Sequence, residues 1–303
     1  MRSFPGELDP FIGDTLESEA LALDPKETSL YEDARIVSHL EGHGDHELVA
    51  GTALTLGRTR GTRREIRFDQ VLSKYPDIPN IDQEPVLDSG DFEDMRVFLG
   101  VYAHDAWTPM PQLTLEGGAR FDFTSEELET EVDLPGGPVQ VKDNKEGSDV
   151  SGDVSALVRL IPEGANGPLH VANLYGSFRR AFKPAAPNLA EAEAAEILDP
   201  EHTTSWEVGL KTRAFEGLAF DVSYFDMKFE NLVVSILGTG GGPALTNAGE
   251  ERFKGEEITL RLAPASLPGT TFEIGYAHHN ARFVHFTFVT PDSQFRDVSG
   301  KHL

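Results

Sequence analysis

Trp206-Glu207-Val208-Gly209-Leu210-Lys211, a break at Phe215–Gly217, then Leu218-Ala219-Phe220-Asp221-Val222-Ser223-Tyr224: this stretch decides the fold. Trp206, Val208 and Leu210 point one way while Glu207, Gly209 and Lys211 point the other. After the break Leu218, Phe220, Val222 and Tyr224 oppose Ala219, Asp221 and Ser223. Strict alternation across a short turn is the mark of an antiparallel β-hairpin with one apolar face.

The pattern extends in both directions. Downstream, Ile258, Leu260 and Leu262 oppose Glu257, Thr259 and Arg261, and Phe272, Ile274 and Tyr276 oppose Glu273 and Gly275. Upstream, Leu113, Leu115, Ala119 and Phe121 oppose Thr114, Glu116, Arg120 and Asp122. Further strands are predicted near Ala34–Glu41, His46–Arg58, Met95–Trp107, Ser151–Ile161 and Leu169–Arg180. Residues 1–33 are polar and give no clear strand, so they read as a separate segment, an external loop. About ten strands result, an all-β chain.

The breaks between strands alternate in length. Short ones fall at Gly42–Asp45, Thr108–Pro111, Pro162–Pro168, Phe215–Gly217 and Pro264–Gly269; long ones fall at Thr59–Asp94, Thr124–Val150, Ala181–Thr203 and Glu230–Phe253. A soluble meander has no reason to keep its long loops at one end. A transmembrane antiparallel up-and-down β-barrel does, with tight turns on one side of the membrane and long loops on the other. Strand lengths near the roughly 9–11 residues that span a bilayer favour the same reading. So do aromatics near strand ends, at Tyr102, Trp107, Tyr175, Trp206 and Tyr276.

Composition narrows the function. No apolar run approaches the roughly 18 residues of a membrane helix, but a barrel needs an apolar residue only at alternate positions. The 26 basic and 51 acidic residues give a net charge of −25, the wrong field for nucleic acid. Eight of the carboxylates, Glu126, Glu127, Glu129, Glu131, Asp133, Asp143, Glu146 and Asp149, fall in one long break and read as a solvated loop. Cysteine is absent, which excludes thiol catalysis, Cys-ligated zinc, iron–sulfur clusters and disulfides. The first 33 residues show no basic segment followed by an apolar one, so no signal peptide is visible.

Several short motifs stand in one order. Leu198-Asp199-Pro200-Glu201 followed by Trp206–Lys211 resembles the PE…yElGlK signature of TonB-dependent outer-membrane receptors. Tyr175-Gly176-Ser177-Phe178-Arg179-Arg180-Ala181-Phe182-Lys183-Pro184 is similar to that family's strand end before it. Tyr224-Phe225-Asp226, Asn231-Leu232-Val233 and the run from Asn247-Ala248-Gly249-Glu250 to Gly255-Glu256-Glu257-Ile258-Thr259-Leu260 follow in the family's order. His46–Gly51 and the hairpin from Val101–Trp107 to Leu113–Asp122 resemble its upstream strands. The resemblance runs from about residue 34 to 303.

What the resemblance implies is an outer-membrane receptor and transporter for energy-coupled uptake of a scarce ligand such as a ferric siderophore. The implied fold is a barrel of about 22 strands closed by a plug, of which this chain supplies the central part, without plug, energy-coupling segment or final strands. The implied partners are a small-molecule ligand such as a ferric chelate, the lipid bilayer and lipopolysaccharide. An inner-membrane energy-transducing complex would act only through the plug. No cofactor, metal or enzymatic activity is implied. Two other readings remain open at this stage: a small porin or adhesin barrel, and a secreted acidic β-protein that binds carbohydrate or cations.

Candidate ligand residues are few. Arg179 and Arg180 end a strand and could capture an anion, or could pair with loop carboxylates. Phe283, Phe286 and Phe288, with Phe295, form an aromatic segment suited to an apolar ligand or to packing of the loop itself. His278 and His279 are adjacent, so a strand sends them to opposite faces; His43 and His46 flank a turn. Gly238–Pro243 lacks the Gly-Lys-Ser/Thr and helix of a phosphate loop and reads as a flexible tip. Ala190–Ile197 is predicted as a short loop helix.

Overall fold

The computed structural model describes residues 11–12, 15–71, 86–134, 136–163, 167–189, 195–214, 217–237, 243–247, 249–289 and 295–302. Ten long strands carry the fold: β1 (Thr15–Glu41), β2 (Asp45–Val71), β3 (Val86–Met110), β4 (Leu113–Leu134), β5 (Gly137–Ile161), β6 (Leu169–Lys183), β7 (Glu201–Ala214), β8 (Leu218–Glu230), β9 (Glu250–Leu262) and β10 (Phe272–His285). Each long strand pairs with its neighbours in sequence, giving one sheet in chain order, with the two-residue strand Phe11–Ile12 added beside β1. Every described pairing is antiparallel. This is an up-and-down partial barrel, as the alternation predicts. No described helix is long and apolar enough to cross a membrane.

The described residues of the five short breaks join successive strands at one end of the sheet. Gly44 at φ 109° and Gly217 at φ 84° take backbone conformations that L side chains rarely adopt. A Cβ at Gly217 would also lie 1.9 Å from the Ala263 carbonyl oxygen.

One face of the sheet carries large apolar side chains with nothing over them. Ile36 is 75% exposed, Ile274 67% and Val154 58%. On this face Trp206 stands opposite Phe178, and Val208 opposite Tyr224. Exposure of this kind along every long strand suits hydrocarbon rather than water. Trp107 stacks on His46 at 5.5 Å at the turn end, and its indole donates to the His43 carbonyl. Trp206 and Tyr224 lie 5.4 Å apart. Tyr102 and Tyr175, expected among the membrane-interface aromatics, instead turn to the polar face, where their hydroxyls bond Asp33 and Glu207.

The strands at the other end run far beyond the apolar belt, and here the structure departs from the sequence reading. β1 begins at Thr15, because it pairs with β2 without interruption from Thr15↔Val71 to Glu41↔Asp45. The acidic segment Thr124–Val150 is not a loop: β4 and β5 stay in register from Leu113↔Val158 to Leu134↔Gly137. The reason is an alternation of inverted phase. Above the belt Glu126, Leu128, Thr130 and Val132 face the polar side of the sheet and are buried, while Glu127, Glu129 and Glu131 face outward. Ala190–Ile197 was expected to be helical; residues 190–194 lie outside the described residues, and Glu196–Ile197 is a strand paired with Pro187–Asn188.

Candidate functional site

The register places one set of polar side chains on the face opposite the apolar belt. Gly51, Tyr102, Arg120 and Ser151 stand side by side across β2 to β5. One step toward the turns come Val49, His104, Gly118, Asp153 and Arg179, the last on β6. The Tyr102 hydroxyl donates to Asp33 at 2.9 Å. Gly51 makes room for it, since a Cβ there would lie 2.7 Å from the Tyr102 hydroxyl. Arg120 donates from Nε to both oxygens of Asp122 at 2.8 Å and lies over the Tyr102 ring at 5.6 Å. The pair leans across Gly100, where a Cβ would meet the guanidinium at 2.1 Å. Tyr102, His104, Arg120, Ser151, Asp153 and Arg179 are among the residues that line a groove of about 430 Å³.

Arg179 and Arg180 both border the groove, yet alternation separates them. Arg180 stands opposite Gly152 and Thr204, on the side of Phe178 and Trp206; Arg179 stands opposite Asp153 and Ser205. Arg180 bonds Asp149, which also bonds His202. Arg179 is exposed and makes no ion pair or hydrogen bond among the described residues. Arg120, by contrast, has its charge matched by Asp122, and Arg180 by Asp149.

Above the groove, short hairpins cross the wall. Pro187–Asn188 pairs with Glu196–Ile197, and Val233–Leu237 pairs with Pro243–Asn247. Asn247 ties the two together: its amide donates to the carbonyls of Asp199 (3.0 Å) and Asn231 (2.7 Å), and its oxygen accepts from the Asp199 backbone. Asn188 donates to the Leu245 carbonyl. The first hairpin is fixed to the strands behind it. Arg63 donates to the Leu189 carbonyl, Lys145 to the Ile197 carbonyl and to Asp199, and the Ile197 backbone donates to Asp143. Leu128, Ala195 and Ile197 form a buried apolar cluster edged by Val141, Ala185 and Leu189.

Beside that cluster two buried carboxylates share a half-buried arginine. Asp94 and Glu126 are each 2% exposed, and Arg96 lies between them at 2.7 Å and 3.1 Å. Burial pushes the Glu126 carboxyl up to about 7; Arg96 opposes this and the neighbouring Asp94 adds to it. Asp94 is also raised, by burial above all, against the pull of Arg96. A carboxyl pair with one counter-charge holds a proton between them more readily than two negative charges. Farther along the wall Glu251, fully buried, is raised by burial and by Glu201 nearby.

The aromatic segment sits at the edge of the sheet. The Phe283 and Phe286 rings meet at a tilt with centroids 5.0 Å apart, and Phe286 is buried. Phe288 belongs to the strand Thr287–Val289, but its side chain, like that of Phe295, lies outside the described residues. His278 pairs with Glu256 and His279 with Glu257, on opposite faces. His43 lies in a turn at φ 54°, and residues 238–242 of the glycine-rich tip lie outside the described residues. From the sequence Tyr102 was named only as a strand-end aromatic and Asn247 only within a family motif, while His104 and Asn188 were not singled out. The groove role of Tyr102 and His104 could have been found by following the polar phase of each strand; nothing local marks Asn188.

The chain matches the family described as TonB dependent receptor-like, beta-barrel, over residues 14–302. No curated protein matches it by sequence. Among solved structures it is similar to the ferric yersiniabactin uptake receptor FyuA from Yersinia pestis, with 14% identity and a TM-score of 0.66 over 96% of this chain and 39% of that one. It is similar also to the ferric-catecholate import receptor Fiu from E. coli K12, with 16% identity and a TM-score of 0.63 over 90% of this chain and 40% of that one. The siderophore receptor PiuA from Acinetobacter baumannii gives 14% identity and a TM-score of 0.57 over 91% of this chain and 41% of that one. The chain thus spans about two fifths of the length of these receptors. With ten strands paired in sequence order, an apolar face outward and a polar face bearing the groove, the chain belongs to the TonB-dependent receptor-like β-barrel family and forms part of such a barrel.

Proposed function

We propose that this chain is the wall of an outer-membrane receptor that takes up a scarce small-molecule ligand, a ferric siderophore or similar ferric chelate, by energy-coupled transport. The observation that carries the reading is the polar groove with the unpaired Arg179, lying below hairpins that cross the wall, in a chain of this family. An anionic chelate would enter past the hairpins and meet the guanidinium of Arg179, with the ring of Tyr102 close by. The apolar face takes the lipid bilayer, and the outward surface above it takes lipopolysaccharide. Coupling to an inner-membrane energy-transducing complex would run through a plug segment. Arg180, whose charge is matched by Asp149, has a structural role in this reading. No enzymatic step is part of it.

The test is binding of a panel of ferric chelates to the protein in detergent, read by tryptophan quenching, together with growth on each chelate under iron limitation. Arg179→Ala is expected to weaken binding of one chelate about tenfold or more, the scale of one charge-assisted hydrogen bond, while Arg180→Ala leaves it within about twofold. Equal binding by wild type and Arg179→Ala across the panel would overturn the assignment of the groove.

A further inference from the structure

The turn end of the polar face holds a second group of cations that the uptake reading does not use. Arg159 on β5, Asn173 on β6 and Lys211 on β7 are consecutive register partners, so they stand side by side on one face, about 5 Å apart from strand to strand. With Arg213 and Arg261 they line a recess of about 330 Å³. Along β6 the recess lies six residues from Arg179 toward the turns, roughly 20 Å at the rise of a strand.

The row is built from donors. Arg159 is held from behind: its Nη1 donates to the Pro111 carbonyl and to the Thr114 hydroxyl, both at 3.1 Å, and its backbone donates to the Gln112 carbonyl. Neither side-chain acceptor is charged, and Nε and Nη2 make no bond among the described residues. The register shifts between Arg159 and Ile161, an irregularity of the kind that re-aims a side chain. The Asn173 amide has no partner among the described residues. The Lys211 ammonium lies over the Tyr175 ring at 5.3 Å and makes no ion pair among the described residues.

The carboxylates nearby leave this row positive. Glu273 matches Arg261 at 2.7 Å. Glu163 approaches Arg213 only to 3.6 Å, with both side chains exposed, so water screens the attraction. Asp221 on β8 stands opposite Lys211 and forms no ion pair among the described residues. It is the carboxylate of the row, and it offsets Lys211 but not Arg159.

We propose that this recess is a second anion site, in which Arg159, Asn173 and Lys211 bind a small solute that carries two phosphate or carboxylate groups. Nε and Nη2 form the edge of a guanidinium that grips an oxyanion with two parallel hydrogen bonds. Because neutral acceptors already fix Arg159, little freedom is lost when that edge is used. Lys211 adds a compact charge two strands away, about 10 Å across Asn173, a span suited to two anionic groups rather than one. In a wall that serves uptake, an anionic chelate moving from Arg179 toward the turns would meet this site next. That role rests on the receptor reading, whereas anion binding in the recess does not.

Inorganic pyrophosphate is the probe, its binding to the full chain with its native flanking sequence, in detergent, measured by equilibrium dialysis. Every protein compared carries Arg179→Ala, so the unpaired guanidinium of the upper groove is removed. One saturable site is expected. Adding Arg159→Gln is expected to weaken it about tenfold or more, the scale of a charge-assisted pair of bonds, and Lys211→Met about threefold or more. Asp221→Asn is expected to tighten it about threefold, since it removes the negative charge beside Lys211. Failure to saturate, or equal binding with and without Arg159→Gln and Lys211→Met, overturns the proposal. Occupation of the recess by a polypeptide segment would leave pyrophosphate unbound and overturn it equally. Should Arg159→Gln fail to fold, Lys211→Met and Asp221→Asn decide, because their shifts must be opposite in sign. The background lacks Arg179 and the probe carries no iron, so failure of chelate uptake and failure of this site are separate results.

Discussion

β4 is two strands laid end to end in different solvents. In its lower half Leu115, Phe121 and Phe123 face out of the barrel while Glu116, Arg120 and Asp122 face in; Phe121 is 50% exposed and Asp122 buried. In its upper half Glu127, Glu129 and Glu131 face out, while Leu128, Thr130 and Val132 face in and are buried. Pairing with β5 is continuous across the junction, so no slip or bulge has exchanged the faces. What changes is the surroundings. Below, the outside is hydrocarbon and the inside is wet; above, the outside is water and the inside is covered by the hairpins. Which phase of a strand is apolar is therefore set by what lies against each face.

The largest break in this comparison comes from one charge placed outward at two heights. Val208→Arg sits in the apolar belt beside Tyr224, and is expected to cost about 2–4 kcal/mol of folding stability in lipid vesicles if the site is near the bilayer midplane. Glu129→Arg, equally outward but above the belt, is expected to change stability by less than about 0.5 kcal/mol. Denaturant titration of the vesicle-refolded protein measures both. Equal costs would mean that the upper half of β4 does not stand in water.

Facing inward, the difference has the opposite sign. Leu128→Ala empties the apolar cluster with Ala195 and Ile197, and is expected to cost about 2–3 kcal/mol, the lower part of the range for a buried leucine. The effect should be local. Amide exchange at Ile197 and Leu198 should accelerate, and the belt strands should keep their protection.

The inversion also explains what could be read from the sequence. The belt hairpins were legible because apolar residues repeat at every second position there, and Trp206–Lys211 and Leu218–Tyr224 pair as expected, Val208 opposite Tyr224. The upper half of β4 alternates as strictly, Glu127-Leu128-Glu129-Thr130-Glu131-Val132. Its eight neighbouring carboxylates masked that period, and its apolar phase is opposite to that of the belt. Likewise β1 over Thr15–Asp33 owes its form to pairing with β2, a contact invisible in its own residues. At the groove, Arg179 and Arg180 could be named as cations from their position. That alternation gives Arg179 to the groove face and pairs Arg180 with Asp149 depends on register with β5 and β7. The Asp94–Arg96–Glu126 cluster was not legible at all, because its residues come from two strands and the burial of the two carboxylates is set by packing that neither strand shows on its own.

The smallest expected effect lies on the outward surface above the belt, where Glu93 accepts from both Arg58 and Arg60, at 2.5 Å and 2.8 Å. All three side chains are substantially exposed, between 31% and 56%. Water and salt therefore screen the attraction, and Arg58→Ala is expected to cost about 0.2–1 kcal/mol, with Arg60 retaining Glu93. That cost should shrink further between 0.05 and 0.5 M salt, a range over which the screening length falls from about 14 Å to 4 Å. The Arg96–Asp94–Glu126 triad, at a similar height but on the covered face, should show almost no such salt dependence, since neither carboxylate is open to counterions. If the two clusters respond to salt alike, the inner face is not sealed from water at Glu126, and the burial that raises its carboxyl would have to be transient.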